Sequence, residues 1–173
     1  ELDFQCFLRD ENKKALLVTG ARQVGKTYSI RAFARENFRS FIEVNFLENP
    51  AAKELFENAK NSKDLLMRLS LVAEGDLIPG ETLIFLDEVQ ECKELVTAIK
   101  FLVEEGSYRY ILSGSLLGVE LKDIRSVPVG YMDIVEMYPL DFEEFLLANQ
   151  VSARILDTLR VSFTEKMPLE ALI

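Results

Sequence analysis

Apolar residues along this chain fall into two alternating patterns, short unbroken runs and stripes at helical spacing. Ala15-Leu16-Leu17-Val18-Thr19 is a run of strand length and suits a strand buried on both faces. Ser40 to Phe46, Thr82 to Leu86 and Tyr108 to Leu112, rich in aromatic and β-branched residues, predict three more strands. Residues 127–137 form a further extended segment, which Pro128 places at an edge or a strand start and Pro139 ends. Between the runs, Ile30, Phe33, Ala34 and Phe38 recur at helical spacing over 27–38. Residues 51–59 and 62–73 read as two helices, the second with Ser62 as N-cap and a core face of Leu65, Leu66, Leu69, Val72 and Ala73. Residues 94–104 carry Leu95, Ala98, Ile99, Leu102 and Val103 on one face, with Gly106 as the stop.

The two ends are helical by the same reasoning. Residues 1–14 predict an arm or helix that packs Leu2, Phe4, Phe7 and Leu8 on the core. Asp141 is placed to cap a helix over 142–148, with Glu143 and Glu144 in its first turn. Residues 149–173 are expected to be a helical extension that opens a linker or a further domain, with residues 15–148 as the core. Strands alternating with helices predict an α/β fold with a parallel sheet covered on both faces. A ligand then sits at the carboxyl ends of the strands.

One of those ends carries Gly20-Ala21-Arg22-Gln23-Val24-Gly25-Lys26-Thr27, the pattern G-x-x-x-x-G-K-T of a phosphate-binding loop. Gly20 and Gly25 let the backbone curl so that successive N–H groups point inward on an anion. The helix beginning near Lys26 adds the positive end of its dipole. Lys26 reaches the β- and γ-phosphates, the Thr27 hydroxyl suits Mg²⁺, and Tyr28 completes the candidate nucleotide-contacting set. Arg22 is either a phosphate contact or a surface residue. A second strand end carries Asp87-Glu88 behind four apolar residues, the form of a Walker B motif. Asp87 is the candidate for orienting the metal shell and Glu88 for positioning or deprotonating the attacking water. An isolated acid pair of this kind is equally a solvated strand end, and it is the preceding loop that gives it meaning.

Composition narrows the chemistry. The chain has 173 residues, 49% of them hydrophobic, as for one ordinary globular domain. It contains no histidine, so a Ser-His-Asp triad or a histidine zinc site within this chain is excluded. The net charge of −9 gives no overall basic footprint for nucleic acid, and Lys13, Lys14 and Lys93 are too sparse to build a patch. Cys6 and Cys92 lack metal spacing and read as reduced thiols, consistent with a cytoplasmic setting. No apolar run approaches a membrane span. No Asn-Lys-x-Asp reader of guanine follows the acid pair, so ATP is favoured over GTP.

The strings GARQVGKT, LIFLDEVQ, YILSGSLL and YPLDFEEFL together resemble the AAA+-like ATPases of prokaryotes, in which a P-loop domain precedes a C-terminal domain. The resemblance covers most of residues 13–148. It implies a P-loop NTPase three-layer sandwich with sheet order 5-1-4-3-2 and ATP hydrolysis with Mg²⁺. It also implies that Ser113 or Ser115 is a sensor of the γ-phosphate, although Ser-Gly-Ser is also a plain tight turn. The chain departs from many relatives in having Gly130-Tyr131 where they carry Gly-Arg; Arg125 is near but off that position. An arginine finger is worth several orders of magnitude in rate, so one is expected in trans, from a neighbouring copy, or turnover is slow. Phe142, Phe145 and Leu146 either dock an attached domain or partner or pack as an ordinary amphipathic helix. Two functions follow: an ATPase, or a nucleotide-gated switch with little hydrolysis.

Overall fold

A computed structural model describes residues 4–11, 13–56, 61–73, 75–115 and 130–167. The chain divides into two compact units, residues 1–138 and 139–173. This division groups the helix over 142–148 with the residues after it.

The first unit contains α1 (Phe4–Arg9), β1 (Ala15–Gly20), α2 (Lys26–Asn37), β2 (Ser40–Asn45), α3 (Pro50–Phe56), α4 (Ser62–Val72), β3 (Thr82–Asp87), α5 (Lys93–Glu105), β4 (Arg109–Ser115) and β5 (Met132–Glu136). The five strands form one sheet in the order β2-β3-β4-β1-β5, with every pairing parallel. This is the P-loop NTPase order 5-1-4-3-2 read from the other edge. The expected extended segment contributes β5 at an edge, while Pro128 lies outside the described residues.

Unbroken apolar runs make sense in such a sheet because side chains alternate between two covered faces. Ala15, Leu17, Ile84, Leu86, Tyr110 and Leu112 pack on one side with Leu65 and Leu69 of α4 and Leu95, Val96, Ile99 and Leu102 of α5. Leu16, Val18, Leu83, Phe85 and Ile111 pack on the other with Ile30, Phe33 and Ala34 of α2 and Phe4 and Phe7 of α1. The N-terminal helix thus belongs to the core: the Phe4 ring stacks on Phe33 with centroids 4.3 Å apart. Arg109 ties that helix to β4, donating to the carbonyls of Asp10 (2.9 Å) and Phe7 with its guanidinium 4.1 Å from the Phe7 ring.

Two local expectations change. The N-cap of α4 is Asn61, whose side-chain oxygen accepts from the Asp64 N–H at 3.0 Å, so Ser62 is the first helical residue. Both residues are competent caps, and only the chain path selects the earlier one. Ser113-Gly114-Ser115 is strand, not turn: Ser113 pairs with Val18, Gly114 with Thr19 and Ser115 with Gly20. Gly106 ends α5 in the left-handed region at φ 77°, as expected.

The second unit holds α6 (Phe142–Ala148) and α7 (Ala153–Glu165). Asp141 caps α6 in a full capping box with Glu144. Among the described residues α6 buries no side chain, and Phe142 and Phe145 are more than half exposed. An ion pair between Arg160 and Glu143 joins α7 to α6.

Candidate functional site

The carboxyl ends of β1, β3 and β4 lie side by side, so the register of the sheet alone brings three sequence-distant segments together. From β1 the chain runs into the loop Gly20–Thr27. Its curl is built from residues in left-handed conformations, Gln23 at φ 64° and Gly25 at φ 98°. The Lys26 ammonium lies on the loop's own carbonyls, donating to Gly20 (3.0 Å) and Ala21 (2.7 Å). It is buried, which pulls its pKa down, while the charges of Glu88 and Asp87 push it back up. Arg22, Gln23, Gly25, Lys26, Thr27 and Tyr28 line a cleft of about 410 Å³ together with Leu47 and Glu88. Val24 is half-buried in the loop between them.

Asp87 is the best-partnered side chain of the site. Thr27 Oγ1 donates to its Oδ2 at 3.1 Å and Asn45 Nδ2 to the same oxygen at 3.3 Å. Its Oδ1 accepts from the Glu88 N–H at 3.0 Å and from the Ser113 hydroxyl. Burial pushes its carboxyl up; the Ser113, Thr27 and Glu88 N–H hydrogen bonds pull it down, and the neighbouring Glu88 charge adds to the rise. A carboxylate held near a threonine hydroxyl, behind a phosphate loop, is an all-oxygen donor set. Such a set fits a hard cation that keeps several waters and takes its remaining ligands from phosphate.

Glu88 sits one residue on, at φ 56° and ψ 45°, an uncommon conformation for a residue with a side chain. The turn that follows holds it, with Glu91 N–H donating to its carbonyl at 3.0 Å. Gln90 Nε2 donates to Glu88 Oε2 at 2.5 Å, and Ser115 Oγ to the same oxygen at 3.5 Å. Arg22 Nε in turn donates to Ser115 Oγ at 3.3 Å.

The two serines therefore separate. Both are buried, but the Ser113 hydroxyl faces Asp87 whereas the Ser115 hydroxyl faces Glu88. Of the two serines expected at the sensor position, Ser113 donates its hydroxyl to Asp87 and Ser115 donates to Glu88. Sequence reasoning also passed over Asn45 and Gln90. Asn45 had a usable signal, since it ends β2 in register with Asp87 at the end of β3. Gln90 had none, because nothing in its spacing shows that the turn folds it back on Glu88. Arg125 lies outside the described residues, and Tyr131 bonds Glu104 through its hydroxyl at 2.6 Å.

The sheet order, the loop and the acid pair beside it define an AAA+-like P-loop ATPase. The chain belongs to the AAA family: the family model described as "AAA domain" matches residues 12–146. Comparison with curated proteins gives no match. Among solved structures, C. elegans PCH-2 is similar at 16% identity over 93% of this chain, with a TM-score of 0.47, and this chain spans 43% of that one. The DnaC helicase loader is similar at 14% identity over 78% of this chain and 85% of its own length, with a TM-score of 0.48. Neither likeness carries a function to this chain. Among the described residues no helix is long and apolar enough to cross a membrane.

Proposed function

We propose that this chain binds ATP with Mg²⁺ and hydrolyses it to ADP and phosphate, in the cytoplasm, to drive or regulate an attached domain or partner. The observation that carries this reading is the Thr27–Asp87 contact with Glu88 beside it at the lip of the loop-lined cleft. In this reading the backbone of residues 20–27 and Lys26 hold the triphosphate, and Tyr28 flanks it. Thr27 and Asp87 hold the metal, which when bound offsets charge on the phosphate oxygens. Glu88 takes a proton from the water that attacks the γ-phosphorus. Ser115 takes the sensor position, and Ser113 keeps Asp87 oriented. The exposed Phe142 and Phe145 of α6 are the surface for the attached domain or partner.

A second reading, a nucleotide-gated switch with little hydrolysis, is favoured by one observation. Among the described residues lining the cleft Arg22 is the only arginine, and it is engaged with Ser115. In an ATPase the missing charge comes in trans from another copy. Single-turnover phosphate release separates the readings. The ATPase reading expects Glu88→Gln to bind ATP and lose release by roughly 100-fold or more. It expects Lys26→Ala to lose ATP binding. Wild-type release no faster than that of Glu88→Gln would leave the switch.

A further inference from the structure

Glu88 has two carboxylate oxygens, and the structure treats them differently. Oε2 accepts from both Gln90 Nε2 and Ser115 Oγ, while Oε1 accepts no hydrogen bond from the described residues. The backbone beneath is fixed as well, because the Glu88 N–H is spent on Asp87 and its carbonyl on Glu91. Gln90 cannot serve equally well the other way round. A carboxylate accepts hydrogen bonds and donates none, so the amide nitrogen must face it, and the buried Gln90 oxygen has no partner among the described residues. Leaving a buried acceptor unsatisfied costs free energy. That cost is offset here by a charge-assisted bond to the one side chain that must be aimed.

We propose that Gln90 is a positioning residue for hydrolysis: it holds Glu88 by Oε2 so that Oε1 is presented to the attacking water. This rests on the ATPase reading above. The water oxygen bonds to the γ-phosphorus and its proton passes to Oε1. The bond from the γ-phosphorus to the β–γ bridging oxygen breaks, and its electron pair leaves with ADP. Gln90 is not among the residues that line the cleft, whereas Glu88 is. Its effect is wholly through where Oε1 points. Ser115 makes the second, longer hold and links it through Arg22 to the phosphate loop.

Four full-length proteins test this: wild type, Gln90→Met, Glu88→Gln and the double variant. Methionine keeps the length of the side chain and removes the donor. The readouts are single-turnover phosphate release, steady-state kcat and KM, affinity for a fluorescent ATP analogue, and thermal midpoint. Gln90→Met should lower kcat roughly 10- to 100-fold, as for a misaimed catalytic group. Its KM, analogue affinity and midpoint should stay within about twofold or a few degrees of wild type. On the Glu88→Gln background, Gln90→Met should cause no further loss, because residues acting through one group are non-additive. Three results would overturn the proposal while leaving the ATPase standing: Gln90→Met with wild-type kcat beside an inactive Glu88→Gln, losses that multiply in the double variant, or an effect confined to affinity. Wild-type release equal to that of Glu88→Gln would overturn both.

Discussion

Replacing Gly20 by alanine separates the two duties that a loop glycine can have. A Cβ built on Gly20 lies 2.2 Å from the backbone carbonyl oxygen of Met137, and the residue sits at φ 137°. That carbonyl is not free to retreat, because Met137 N–H donates to Thr19 at 2.8 Å and β5 is paired with β1 along its length. Gly25, by contrast, is at φ 98° with only the flexible end of the Met137 side chain nearby, at 3.6 Å. Backbone strain at such an angle costs about 1–3 kcal/mol. Gly20→Ala must add the loss of the Met137–Thr19 hydrogen bond, about 1 kcal/mol. The total, about 2–4 kcal/mol, should lower the thermal midpoint by roughly 5–15 °C in a domain of this size. Gly25→Ala should lose less stability yet weaken ATP binding strongly, since its strain falls on the phosphate nest. Thermal unfolding followed by circular dichroism, with ATP affinity measured on the same samples, decides it. A Gly20→Ala protein that melts with the wild type, or a Gly25→Ala protein that melts lower than Gly20→Ala, would refute the assignment of Gly20 to the packing of β5 on β1.

Tyr110 and Glu143 give two further expectations. Tyr110 is fully buried, its hydroxyl has no hydrogen-bond partner among the described residues, and burial drives its pKa far up; Tyr110→Phe should leave stability unchanged or raise it by about 1 kcal/mol in urea unfolding, and a loss of that size would reveal a partner. Glu143 is held below its ordinary value of 4.5, first by the hydrogen bond from Arg160. A depressed acid contributes stability above its unfolded pKa that fades as pH falls through the folded one. The Glu143 carboxyl should therefore titrate below 4.5 by NMR and return toward it in Arg160→Ala, and identical titration in both proteins would remove the pair.

The alternation of apolar runs and stripes determined the class of fold, because a strand buried on both faces needs an unbroken run and a helix on a sheet needs a stripe. The loop pattern and the acid pair were equally local, since each is a few consecutive residues whose chemistry follows from their own backbone. What the chain could not show by itself was the register at which neighbouring strand ends meet. That pairing, between segments tens of residues apart, put Ser113 on Asp87 and Ser115 on Glu88 although the two serines differ by only two positions. It placed the Met137 carbonyl over Gly20, turning a phosphate-loop glycine into a packing glycine as well. Gln90 was hidden for a different reason: a left-handed residue at Glu88 reverses the chain locally, and no periodicity reports a single dihedral angle. Sequence thus determined the kinds of groups present, while the tertiary structure decided which atom of each group faces which, because hydrogen-bond direction depends on through-space geometry and not on order along the chain.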